Sequence, residues 1–99
     1  MNIGIDIMGG DYAPLEAVKG ISIFLKSGDP HLHLTLLGNE KEIQPFLNEF
    51  NIPSERVTVV HTTQIIDMHE HPTKAFKEKA DSSIVKGFQL LATGKINAF

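Results

Sequence analysis

The 99-residue sequence contains no cysteine, which removes disulfides, thiolate metal ligands and a cysteine nucleophile together. A reducing cytoplasm is the expected setting. Long apolar runs are also missing: the longest stretches are a few residues, far short of the roughly 20 that cross a bilayer. Any membrane contact is therefore expected to be peripheral, at the inner face of the membrane. The opening Met1-Asn2-Ile3-Gly4-Ile5-Asp6 sets an acid where a secretory leader carries basic residues before an apolar core, so no export signal is expected. Positive charge is scarce as well. Nine Lys and Arg against 12 Asp and Glu give a net charge of -3 and a pI near 5.9, which argues against a nucleic-acid partner. Small molecules or proteins are the expected partners.

What remains is an ordinary globular mixture, 41% hydrophobic and 21% charged, enough for one modest core and at most one domain. Ile3, Ile5 and Ile7 alternate with small or acidic residues up to Gly9-Gly10, which predicts a first strand over residues 2–8. Pro14 suits the first turn of a helix, and Ala17, Val18, Ile21, Phe24 and Leu25 then recur at helical spacing until Gly28-Asp29-Pro30. Leu32 to Leu37 reads as a strand buried on both faces, which favours a parallel sheet. Asn39 and Glu42 form an Asn variant of a capping box ahead of the apolar stripe Ile43, Phe46, Leu47, Phe50. Pro45 inside that stripe predicts either a kink or a later helix start.

Val57 to His61 supplies a third strand, and Thr62 to Pro72, having no period, reads as a loop. A short helix is expected over Thr73 to Ala80. Asp81-Ser82-Ser83 then looks like a second helix start, with Ile84, Val85, Phe88 and Leu91 as the apolar face and Gly94 as the stop. Lys95 to Phe99 reads as the beginning of a fourth strand. The alternation predicts an α/β fold of three layers, α/β/α, around a mainly parallel sheet.

In such sheets ligands bind beyond the carboxyl ends of the strands, where helix N-termini present free N–H groups to anions. Two turns qualify. One is Met8-Gly9-Gly10-Asp11, whose glycines allow close backbone approach, although a plain tight connection would use the same residues. The other is Asp81-Ser82-Ser83, behind Lys77 and Lys79, although simple capping accounts for it equally well. Asp6 beside an anion would repel it unless cations or hydrogen bonds offset the charge. Lys77 and Lys79 could supply that offset, and Asp6 is expected to fix the Gly9-Gly10 turn rather than to exchange protons. His31 with His33 and His69 with His71 form two His-x-His pairs. Neither has an obvious third ligand, so no metal is expected.

The run Ile5-Asp6-Ile7-Met8-Gly9-Gly10-Asp11-Tyr12-Ala13-Pro14 resembles the N-terminal signature of bacterial phosphate acyltransferases. The resemblance continues in order through Leu36-Leu37-Gly38-Asn39, Ile66-Asp67-Met68, Pro72, Ala75, Lys77, Lys79, Asp81-Ser82-Ser83 and Gly94, and so covers essentially the whole chain. Family members often carry Arg where Lys77 stands here, so charge is kept but paired guanidinium geometry is not.

That resemblance implies a fold like isopropylmalate dehydrogenases and phosphotransacetylases, with residues 1–99 as the N-terminal portion of a single acyltransferase domain. It implies transfer of a fatty acyl group from acyl carrier protein to inorganic phosphate, giving acyl phosphate for phospholipid synthesis. No cofactor is implied, and the enzyme is expected to be a homodimer that can contact a downstream acyltransferase. Gly9, Gly10, Lys77, Lys79, Ser82 and Ser83 are then the expected phosphate-binding residues, with Asp6 and Asp11 organising the turn. No catalytic residue is assigned. The stretch Lys74 to Lys86 is the expected carrier-protein surface. The family continues into a Gly-Asn-Thr-Gly loop that this sequence lacks, so the 99 residues alone are expected to be inactive. On the residues alone, a non-catalytic phosphate- or nucleotide-binding α/β module is the alternative.

Overall fold

A computed structural model describes residues 1–8, 12–64 and 80–99. Three parallel strands form the sheet, β1 (Asn2–Asp6), β2 (His33–Gly38) and β3 (Val57–His61), in the order β1-β2-β3. The register runs Asp6 to Leu37 and Leu37 to Val60. Three helices are α1 (Leu15–Ser27), α2 (Glu40–Glu49) and α3 (Ser83–Ala92). The expected short helix over 73–80 falls almost entirely outside the described residues.

Because strand side chains alternate between faces, β1 sends Ile3 and Ile5 one way and Asn2, Gly4 and Asp6 the other. The first set joins Leu34, Leu36, Val57 and Val59 against α1 and α2, where Val18, Ile21, Ile43 and Leu47 complete the core. Ile7, fully buried, belongs to the same core. The second face is covered by α3, which packs on β1 and β2. Helices thus lie on both sides of the sheet, and β2 is buried from Leu34 to Gly38, as expected of a strand covered on both faces.

Helix α2 starts at its cap, not later: Asn39 Oδ1 accepts the Lys41 N–H at 3.0 Å, and the helix runs through Pro45. Pro45 and Lys41 are both exposed, so the Lys41 carbonyl that loses its donor faces water. Helix α3 ends in a Schellman arrangement, with Gly94 at φ +76. The Lys95 N–H reaches Leu90 O at 2.9 Å and the Gly94 N–H reaches Leu91 O at 3.2 Å.

The buried face of α3 departs from the expected one. Phe88 is 52% exposed and Leu91 37%, whereas Ser83 and Gly87 are buried. Small residues allow the helix to lie close to the sheet, and Phe99 occupies the space a side chain on Gly87 would take. Phe24, expected on the inner face of α1, is 43% exposed.

The last residues add a parallel bridge on the free side of β1. Ala98 pairs with Ile3, Gly4 N–H donates to Ala98 O at 2.8 Å, and Asn97 N–H donates to Asn2 O at 2.7 Å. The chain therefore winds outward from β1 through β2 to β3 on the α1–α2 side. It then returns along the α3 side to the opposite flank of β1. That reversal is a topological switch point, and β1 is the strand beside it.

Candidate functional site

All three helices begin at the carboxyl edge of the sheet, and the residues of interest fall there. After β1 the ladder extends one step, with Ile7 N–H on Leu37 O at 3.2 Å. Asp6 Oδ1 then accepts the Met8 N–H at 3.1 Å, closing a short Asx-type turn. Met8 folds across Gly38: a Cβ there would lie 2.6 Å from Met8 Cγ and 2.9 Å from Ile43 Cδ1, so a side chain at 38 would force these neighbours to move.

At the end of β3, His61 points to the α2 side, where its Nδ1 accepts the Glu40 N–H at 3.0 Å. That bond satisfies one of the free donors of the α2 N-terminus. Thr62 continues the ladder, donating its N–H to Gly38 O at 2.8 Å. By alternation its side chain lies on the α3 side, as does that of Asp6.

The next residues are stitched to the start of α3. Thr63 N–H donates to Asp81 Oδ2 at 2.9 Å, and Thr63 Oγ1 donates to the same oxygen. Asp81 N–H donates to Gln64 Oε1 at 3.0 Å, and Gln64 bridges Ser82 in parallel. The other carboxylate oxygen of Asp81 pairs with Lys86 Nζ at 2.5 Å, and Lys86 also donates to His61 O at 3.0 Å. The Lys86 bond, followed by the Thr63 hydroxyl, holds the Asp81 carboxyl down at about 2, below its ordinary 3.8.

Ser82 is the N-cap of α3, its Oγ accepting the Val85 N–H at 3.3 Å. Ser82 is 1% exposed and Ser83 4%. The carboxyl edge on the α3 side therefore carries Asp6 at the end of β1 and, at the end of β3, Thr62 with Ser82, Ser83 and the N-terminal end of α3.

Over residues 1–99 the chain matches the family described as fatty acid synthesis protein. The chain belongs to that family. Among its curated relatives, a phosphate acyltransferase of Dictyoglomus turgidum is 43% identical over 97 residues, covering 98% of this chain and 28% of the relative. One of Halothermothrix orenii is 44% identical over 99 residues, covering 100% and 29%. One of Leuconostoc mesenteroides is 36% identical over 98 residues, covering 99% and 27%. The chain thus spans less than a third of the length of these relatives.

Asp6, Ser82 and Ser83 all lie at the carboxyl edge, on the α3 side of the sheet. Gly9, Gly10, Asp11, Lys74, Lys77 and Lys79 lie outside the described residues, as do His69 and His71. Lys86, part of the expected basic carrier-protein surface, is engaged by Asp81 and His61 and is 32% exposed. It serves the internal stitch instead of offering a free surface charge. His33 Nε2 is 2.7 Å from Thr58 Oγ1. Among the described residues no group of three His, Cys, Asp or Glu is arranged to hold a metal, and no helix is long and apolar enough to cross a membrane.

Sequence reading missed Thr62 and His61. Both sit where the apolar pattern stops, and only the continued ladder distinguishes their opposite facing. A Thr directly after a strand, followed by the Thr63-Gln64 pair, carries no local signal of burial.

Proposed function

We propose that the intact protein transfers a fatty acyl group from acyl carrier protein to inorganic phosphate, releasing acyl phosphate for phospholipid synthesis. The observation that carries this reading is the family match along the whole chain. The α3 N-terminus with Ser82 and Ser83 at the carboxyl edge supports it, since an anion there meets helix N–H groups and hydroxyls in one place.

In the proposed reaction a phosphate oxygen attacks the thioester carbonyl, the new C–O bond forms, and the C–S bond breaks. The thiol of the carrier protein leaves with the proton given up by the phosphate. A thioester is already activated, so the protein's task is to hold phosphate against the carbonyl and to offer donors to the oxyanion as it develops. Gly9, Gly10, Ser82 and Ser83 are assigned to hold phosphate, Lys77 and Lys79 to balance its charge, and Asp6 and Asp11 to shape the first turn. Residues 1–99 form the N-terminal portion of one acyltransferase domain, inactive alone, that works as a cytoplasmic homodimer with at most peripheral membrane or downstream-acyltransferase contact.

The test is direct. Intact protein given acyl carrier protein loaded with a fatty acyl group, plus phosphate, should produce acyl phosphate, trapped by hydroxylamine. Phosphate-independent hydrolysis, or no consumption of the thioester, would overturn the assignment.

A further inference from the structure

Thr62 is 3% exposed. Its backbone N–H is spent on Gly38 O, but its hydroxyl makes no hydrogen bond to any described residue. The same holds for the Ser83 hydroxyl, in a residue 4% exposed. Yet among the described residues no side-chain nitrogen or oxygen is both sealed from solvent and unpaired. Each hydroxyl oxygen must therefore keep an opening, although the rest of its side chain is enclosed. A hydroxyl held this way is costly, because burial removes most of its water without returning a partner.

The surroundings indicate what the partner is. Thr62 lies on the α3 side of the sheet, at the carboxyl edge it shares with Asp6, and is followed directly by the residues that fasten the α3 N-terminus. Thr63 is bonded to Asp81, and Gln64 bridges Ser82. The local groups other than Asp6 and Asp81 are donors: two hydroxyls and the positive end of a helix dipole. Asp81 is already neutralised by Lys86 and two Thr63 donors, so its charge does not oppose an anion. Asp6, at the end of β1, accepts the Met8 N–H and has Lys77 and Lys79 assigned to balance it. An oxyanion with several acceptor oxygens fits these hydroxyls and the helix N-terminus.

We propose that Thr62 contacts the bound phosphate, its hydroxyl donating to an oxygen of the anion held by Ser83 and the α3 N-terminus. This rests on the phosphate-acyltransferase reading for the identity of the anion and adds a residue to the site. The contact belongs to binding rather than to bond making, so it governs the phosphate requirement more than turnover.

Thr62→Val is the decisive variant because it deletes the hydroxyl and keeps the shape, and Thr62→Ala reads the same loss if the valine packs badly. Thr62→Ser keeps the hydroxyl. In the intact protein the KM for phosphate should rise about tenfold or more in the valine variant, the usual loss of one hydrogen bond to a charged group. The kcat should stay within about twofold, melting temperature should not fall, and the serine variant should recover most of the affinity. Calorimetric titration with inorganic phosphate should show the same order. An unchanged KM and Kd in the valine variant, or a lowered melting temperature with unchanged binding, overturns the proposal. If the wild type binds phosphate but forms no acyl phosphate, the acyltransferase reading fails alone, and the titration still decides the role of Thr62.

Discussion

A Cβ placed on Gly87 would fall within the ring of Phe99. The same ring stands 5.6 Å from that of Phe88, edge to face at 73°, and its Cδ1 would lie 3.1 Å from a Cβ on Gly4. Phe99 thus fills a slot that two glycines leave, one on β1 and one on α3, and this brings the helix close to the strand that carries Asp6.

Gly87→Ala should therefore weaken the docking of α3, against the trend of helix propensity. Alanine gains about 1 kcal/mol in a helix interior, while forcing the ring aside costs roughly 1–3 kcal/mol. Hydrogen exchange in the intact protein should show faster opening of α3 in the alanine variant. In a Phe99→Ala background the same substitution should slow it. Slower exchange with Phe99 present would remove the ring from the account.

Asp81 ties stability to pH. Its carboxyl titrates at about 2 in the folded protein against an ordinary 3.8, so the folded state favours the ionised form. The resulting stabilisation is fully present above 3.8 and is lost as pH falls toward 2. Acid unfolding of the intact protein should be shallower over that window in Asp81→Asn, which lacks the titrating group, and its stability at neutral pH should be lower. Identical acid limbs in the two proteins would show that the clamp does not form.

Ser82→Ala removes the side-chain acceptor for the Val85 N–H and should cost about 1 kcal/mol of stability. If α3 presents its N-terminus to phosphate, the loosened first turn should also raise the KM for phosphate. A stability loss with unaltered kinetics would leave Ser82 as a cap alone.

Lys79→Ala in the intact protein should raise the phosphate requirement about tenfold with little change in kcat, as expected for loss of a charge partner to an anion. Unchanged kinetics would take Lys79 out of the site.

Where burial follows the hydrophobic pattern, the sequence is a good guide. Ile3, Ile5 and Ile7 mark β1 and its core face, the short apolar run Leu32 to Leu37 marks β2 as a strand covered on both sides, and Gly28 and Gly94 mark the ends of α1 and α3. Contacts made by small or polar side chains are not legible in the same way. The inner face of α3 is Ser83 and Gly87, which have no apolar signal, while Phe88 and Leu91 have one and stay exposed. The helical period is unchanged, but the neighbour across the interface decides which stripe is buried. At the site, Ser82 and Ser83 are recognisable as a helix start. Thr62 is not, because its place is set by the ladder bond to Gly38, a partner distant in sequence. Likewise His61 becomes a cap for α2 only once β3 lies beside β2.

The measurement that bears most directly on the central claim is acyl phosphate formation by the intact protein, followed as a function of phosphate concentration. The account predicts saturable production of acyl phosphate matched by release of free carrier protein. Release of carrier protein at a rate independent of phosphate, with no acyl phosphate formed, would contradict it.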